Sequence, residues 1–339
     1  FLISFYNKPS AMEAAWKFLI INAVGLLLAF LGTIIFLAAS HSGETSSFIS
    51  WQSLAAASLD PRIVKIAFVF ILIGYGTKVG WVPMHTWLPD AHSKAPVPVS
   101  SLLSAVLLNI AFFAILRFKT IIDHVVDPQF SSHLFLLFGT VSVVVASFII
   151  FTQKNYKRLL AYSSIENMGI MALGFGFGGI GVYGGLLHLL YHSLSKALMF
   201  LTSGNIFLKY SSTKLKNVSG LLTALPVSGV IFLAGFLAVT GVPPFGMFFS
   251  EFYILSGGMA SHPYVTVVTI FALALSFVGF LKNVSGISFG QLSGGIKSGE
   301  ANSWTVVPPL VLLGVLLVLG FSLPSVVRDL ISESVKMFS

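Results

Sequence analysis

The chain has 339 residues, 56% of them hydrophobic and 9% charged, and a mean hydropathy of +0.93; a water-soluble domain is excluded, since such domains carry about 25% charged residues. Lys plus Arg number 19 against 11 Asp plus Glu, a net charge of +8, and these cations sit between apolar blocks rather than on one basic, aromatic-interleaved face, which excludes a nucleic-acid footprint. With no cysteine, the chain holds no disulfide, thiolate-ligated iron–sulfur cluster or cysteine nucleophile, so in any redox machine the electrons travel through other chains.

The chain opens on Phe1, not Met, and FLISFYNKPS looks like the tail of a hydrophobic segment rather than a signal peptide. A fragment with a missing N-terminal part is therefore expected. A bilayer core of ~30 Å takes about 20 apolar helical residues. Nine runs are predicted to span it: 16–39, 62–84, 96–118, 132–152, 158–178, 181–208, 219–257, 262–281 and 305–325. After the second run, the prolines of GWVPMHTWLPDAHSKAPVPVS at 80–100 predict irregular backbone, with Pro83 at the break. The uncharged run from Asn217 to Ser250 is too long for one straight span, and GVPPF at 241–245 predicts a broken helix at Pro243 and Pro244. Irregular backbone at membrane depth is tolerated only when buried in protein or lining a wet cavity, so both breaks point to a transport pathway. Alternating the loops places eleven Lys and Arg, among them Lys154, Lys157, Arg158, Lys214, Lys216 and Lys282, on the side where the first span starts, against six on the other. That bias puts the start of the first span in the cytoplasm. GWVP at 80–83 and GVPP at 241–244 each mark a break beside an intramembrane ionisable residue, a trace of inverted repeats.

A charge at the bilayer centre costs ~2.5–3.5 kcal/mol on insertion scales, so titratable groups kept there are candidates for function. Lys78 follows IAFVFILIGYGT and lies deep; the plainer alternative, snorkelling to the interface, is weakened by Arg62 and Lys65 anchoring the other end of that span. In GGLLHLLYHSLSKALMFLTSGN, His188, His192 and Lys196 recur every four residues, so all three share one helix face. Histidine, with an ordinary pKa of ~6.5, changes charge near neutral pH, and lysine out of water can release a proton, so the stripe suits a proton relay. A lone His is usually a satisfied core residue, but three groups in register argue otherwise. Metal binding by the two His is disfavoured by the absence of an HExxH motif and of a nearby carboxylate. Glu251 in GMFFSEFYIL follows the second break and is a candidate proton acceptor or donor, or else a structural partner for the break. Asn109 and Ser104 could order water, with helix-to-helix hydrogen bonding the alternative for Asn109. Glu166, about two turns from Lys154, Lys157 and Arg158, is expected to belong to an ion pair at the cytoplasmic end.

The stretches KVGWVPMHTWLPDAHSKAPVPVSSLLSAV at 78–106, NYKRLLAYSSIENMGIM at 155–171, HLLYHSLSKALMFLTSGN at 188–205 and GVPPFGMFFSEFYIL at 241–255 resemble the antiporter-like subunits shared by respiratory complex I, Mrp-type cation/proton antiporters and group 4 membrane-bound hydrogenases. Glu251 and AYSSIENMG look most like the hydrogenase-type, component F-like branch. The resemblance implies an all-α polytopic membrane protein, part of a fourteen-helix fold with two inverted five-helix repeats and broken seventh and twelfth helices. The nine spans would be the sixth to the fourteenth. The implied division is 1–15, the tail of a preceding helix and a loop; 16–118, the end of the first repeat; 119–285, the second repeat; and 286–339, a loop and C-terminal helix. Lys78 resembles the seventh-helix lysine, His188, His192 and Lys196 the eleventh-helix stripe, and Glu251 stands where a twelfth-helix lysine is usual. Lys78's partner, a fifth-helix glutamate, is expected before Phe1.

The expected function is a proton-translocating, or Na+/H+-exchanging, subunit of a redox-driven pump such as a membrane-bound hydrogenase or NADH–quinone oxidoreductase. It would have no redox site or cofactor of its own and would sit in the cytoplasmic membrane of a prokaryote. Expected partners are other membrane subunits, lipid, and a hydrophilic redox arm carrying the metal centres. The rivals are a non-transporting subunit that docks such an arm, a stand-alone Mrp-type antiporter subunit, and a quinone or haem site.

Overall fold

The structure is a computed structural model that describes residues 1–39, 51–292 and 296–338. Parts of the expected segments 16–118 and 286–339 thus lie outside the described residues. The chain is helical: α1 (Pro9–Ala38), α2 (Trp51–Ala56), α3 (Pro61–Val79), α4 (Trp87–Lys94), α5 (Val97–Leu102), α6 (Leu108–Val125), α7 (Pro128–Thr152), α8 (Tyr156–Phe177), α9 (Ile180–Tyr210), α10 (Leu221–Ala224), α11 (Pro226–Val239), α12 (Gly246–Ser261), α13 (Pro263–Ser288), α14 (Val307–Phe321) and α15 (Ser325–Val335). A π-helical segment, Leu103–Leu107, joins α5 to α6. Prolines open α1, α3, α7, α11 and α13, where the missing N–H costs nothing. Asp60, Asp127 and Asn155 cap α3, α7 and α8 by accepting from backbone N–H groups of the first turn.

Six stretches among the described residues are long and apolar enough to cross a membrane: Pro9–Ala38, Pro61–Lys94, Val97–Val125, Pro128–Thr152, Pro263–Ser288 and Ser303–Phe321. The other three predicted runs, 158–178, 181–208 and 219–257, fold as α8, α9 and the pair α11 and α12, which fall short of that measure. The reason is physical: α8 and α9 carry the polar groups of the interior, and α11 and α12 are 14 and 16 residues long.

Every residue of α8 except Arg158 is buried. It is the central column, enclosed by α4, α7, α9 and α12. Its seam with α7 is tight, since a Cβ on Gly139 would meet the Gly169 carbonyl oxygen at 2.8 Å. At one end, Asp90 of α4 accepts from Arg158 of α8 at 2.5 Å and from Lys17 of α1 at 3.2 Å, tying three helices together.

The first break is shorter than the prolines suggest. α3 stops at Gly80, whose φ of 83° suits glycine and whose N–H bonds the Gly76 carbonyl at 2.9 Å. The peptide Val82–Pro83 is cis. Helix then resumes as α4 and again as α5, because Pro89 and Pro98 fall within the opening turns, where proline needs no donor. The turn is anchored to the core: Trp81 Nε1 donates to the Met168 carbonyl at 3.1 Å, the Val82 N–H to Ser142 Oγ at 3.0 Å, and Trp87 Nε1 to the Thr77 carbonyl at 2.7 Å. The second break lies where the sequence places it, between α11 and α12, with a cis Pro243–Pro244 peptide and Gly241 at φ 64°.

Candidate functional site

The stripe on α9 faces inward. His188, His192 and Lys196 have no exposed surface, as their spacing of four on a helix enclosed by neighbours requires. Lys196 Nζ donates to Ser163 Oγ in a short contact and to the Leu160 carbonyl at 3.2 Å, both on α8. Ser163 sits one turn before Asn167, whose Nδ2 donates to the Ser163 carbonyl at 2.6 Å. Asn167 Oδ1 in turn lies 2.8 Å from His188 Nε2, and His188 Nδ1 lies 2.9 Å from Ser250 Oγ on α12. Buried polar groups thus follow one another from Lys196 through Ser163, Asn167 and His188 to Ser250, crossing from α9 to α8, back, and on to the residue beside Glu251; the step from Ser163 to Asn167 runs through the Ser163 backbone carbonyl, not its hydroxyl.

Hydrogen-bond bookkeeping shows what this line can do. Asn167 Oδ1 only accepts, so His188 Nε2 is the donor there. Ser250 has one proton, and its hydroxyl also lies 2.7 Å from the Met247 carbonyl. With His188 Nδ1 protonated, the ring donates to Ser250 and Ser250 donates to Met247; with Nδ1 bare, the same hydroxyl turns to donate to the ring. Both charge states of His188 therefore have a hydrogen-bond partner at each ring nitrogen without moving a helix.

His192, between the wired ends of the stripe, has no partner at either ring nitrogen, and Ser195 Oγ is likewise unpaired. His92 of α4 has two unpaired ring nitrogens and stacks on Phe200 at 4.9 Å. His92 and His192 both lie within electrostatic reach of Lys196. These orphaned groups are where bound water would bridge.

Glu166 corrects an expectation. It makes no ion pair among the described residues: its Oε2 accepts from Ser276 of α13 at 2.9 Å and its Oε1 is buried without a partner. It faces the interior, within electrostatic reach of Lys196 and Glu251. The basic cluster it was expected to join pairs instead through Arg158 with Asp90. The Glu251 carboxylate is packed over Gly241 at the second break. Asn109 bonds helix to helix, donating to Ser193 Oγ at 2.5 Å and to the Leu189 carbonyl at 3.1 Å on α9. Ser104, in the π segment, shares a 2.8 Å hydrogen bond with Ser164 of α8.

Lys78 stands apart. It is half-buried, and its Nζ lies 5.0 Å from the centre of the Phe18 ring of α1, with no hydrogen bond or ion pair among the described residues. Sequence reasoning grouped Lys78, His188, His192, Lys196 and Glu251, of which Lys78 has no hydrogen-bonded link to the others among the described residues, and it missed Ser163, Asn167, Ser250 and His92. The spacing of four between Ser163 and Asn167, in the polar stretch SSIEN of a membrane-embedded helix, was the available signal. No group of three or more His, Asp or Glu among the described residues is arranged to hold a metal ion.

A family model described as "NADH:quinone oxidoreductase/Mrp antiporter, TM" matches residues 1–279. The chain belongs to this family. Within the antiporter family, it is 39% identical over 298 residues to a "Hydrogenase-4 component F homolog" of Methylacidiphilum infernorum, covering 86% of this chain and 63% of that protein. It is 31% identical over 281 residues to "NAD(P)H-quinone oxidoreductase chain 4" of Prochlorococcus marinus, covering 83% of this chain and 52% of that protein. The chain therefore spans between half and two thirds of the length of these curated relatives. The fold matches a chain of an archaeal membrane-bound sulfane sulfur reductase with a TM-score of 0.88 at 24% identity, over 99% of this chain and 68% of that one.

Proposed function

We propose that this antiporter-family chain is a proton-conducting membrane subunit of a redox-driven complex of hydrogenase type. The observation that carries the reading is the buried line from Lys196 through Ser163, Asn167 and His188 to Ser250, with Glu166 and Glu251 beside it. Proton hopping needs hydrogen-bonded groups and bridging water, not a moving carrier; Asn167, an amide on a backbone carbonyl, orients His188, and the proton passes between Lys196 and His188 by water beside the unpaired His192. In this reading Lys78 feeds the stripe, His192 and His92 are joined to it by water, and Glu251 passes the proton on at the second break. The chain crosses the bacterial or archaeal cytoplasmic membrane nine times, with the end of the first inverted repeat in 16–118 and the second in 119–285. Other membrane subunits and a hydrophilic redox arm supply the driving reaction. The hydrogenase assignment is supported by the higher identity to the component F homolog, 39% against 31% for the quinone oxidoreductase chain.

The test is the assembled complex in sealed vesicles, with proton uptake followed by a pH-sensitive dye while the redox partner turns over. His188→Ala combined with Lys196→Ala should abolish uptake while the complex still assembles. Uptake unchanged by that pair would refute the relay and leave the docking-subunit reading standing.

A further inference from the structure

A cavity of 920 Å³ opens where α7 ends, α8 begins and α13 nears its end, closed on its fourth side by the α9–α10 connection. Five cations line it: Lys154, Arg158, Lys214, Lys216 and Lys282. Arg158 is paired with Asp90. The four lysines are exposed and have no carboxylate within ion-pair distance among the described residues. Four like charges around one concavity repel one another, so an anion bound there gains what folding gives up.

The walls are held in place. Asn155 Nδ2 donates to Thr213 Oγ1 at 2.8 Å, the Tyr156 N–H to the Thr213 carbonyl at 3.1 Å, and the Leu215 N–H to the Lys154 carbonyl at 3.0 Å. A Cβ on Gly279 would meet Phe151 Cα at 2.8 Å, so α13 presses directly on the end of α7. Asn155 already caps the first N–H groups of α8, which leaves recognition to the lysines. On the same two helices, Phe148 and Val278 one turn from the rim and Leu281 beside Lys282 are exposed and apolar. The site therefore has a cationic bowl at the membrane edge and an oily wall below it.

We propose that this cavity binds the headgroup phosphate of an anionic glycerophospholipid, with the acyl chains lying along α7 and α13. A soluble anion would use the bowl but not the oily wall. The same cation bias that orients the chain puts the bowl at the cytoplasmic leaflet, where anionic lipid is held by basic pockets between helices. This inference is independent of which ion the chain conducts.

The experiment uses the intact complex in detergent with an equimolar mixture of phosphatidylglycerol, cardiolipin and phosphatidylcholine, bound lipid being counted by native mass spectrometry. The anionic lipids should be retained about tenfold over phosphatidylcholine. Lys154→Gln with Lys214→Gln and Lys216→Gln should reduce that preference to within about twofold, while Lys8→Gln, far from the cavity in sequence, leaves it intact. Equal retention of the three lipids, or a preference that survives the triple substitution, would overturn the proposal. Displacement of the lipid by inorganic phosphate at matched concentration would overturn it in favour of a soluble-anion site. Release of a protein subunit with no change in lipid would overturn it in favour of a protein-docking surface.

Discussion

Lys196 and Lys78 are both lysines kept within the helical bundle, and their surroundings differ. Lys196 has no exposed surface and is bonded to Ser163 and the Leu160 carbonyl, three hydrogen bonds from His188. Lys78 is half-buried, its Nζ over the face of Phe18, with no hydrogen bond or ion pair among the described residues. The difference follows from the helices facing them. α8 offers Lys196 two acceptors, Ser163 Oγ and the Leu160 carbonyl, whereas α1 sets the Phe18 ring against Lys78, with buried Asn22 one turn further on. Lys196 has its acceptors built into the fold, whereas Lys78 has no hydrogen-bond or ion-pair partner among the described residues.

That contrast can be broken most directly at Lys196. Lys196→Ala should lower redox-coupled proton uptake at least about a hundredfold, the lower end of what a positioned proton-transfer group contributes; uptake within a few fold of the parent would sink the contrast. Asn167→Ala comes next. It leaves His188 Nε2 buried without an acceptor, and the unfolding midpoint in detergent should drop by an amount equivalent to about 1–3 kcal/mol, with slowed uptake. Trp81→Phe removes one hydrogen bond at the first break and should cost about 1 kcal/mol in the same measurement. Lys78→Gln should shift the midpoint least, within about 0.5 kcal/mol, because nothing polar is left unpaired. A larger loss there would show that Lys78 holds the fold together.

Much of this was legible in the sequence for identifiable reasons. The spacing of His188, His192 and Lys196 fixes a shared face whatever the helix packs against, and Pro243 with Pro244 ends α11 by local sterics. The first break was overestimated because prolines were counted without regard to position, and Pro89 and Pro98 sit where helices accept them. Glu166 was misplaced because distance along the chain to Lys154 and Lys157 said nothing of the direction in which α8 turns it. Ser163, Asn167 and Ser250 matter only through their partners on other helices, and those pairings, 33, 21 and 62 residues apart in sequence, are tertiary facts.

The burial of α8 also bears on how the protein is made. A segment leaving the ribosome enters the bilayer when its own side chains prefer oil, and α8, with its serines, amide and carboxylate, is not among the stretches apolar enough for that. Its neighbours α7 and α13 are. α8 therefore depends on α7, α9 and α12 for its shelter, and a change that loosens any of those three seams exposes polar groups that oil does not satisfy.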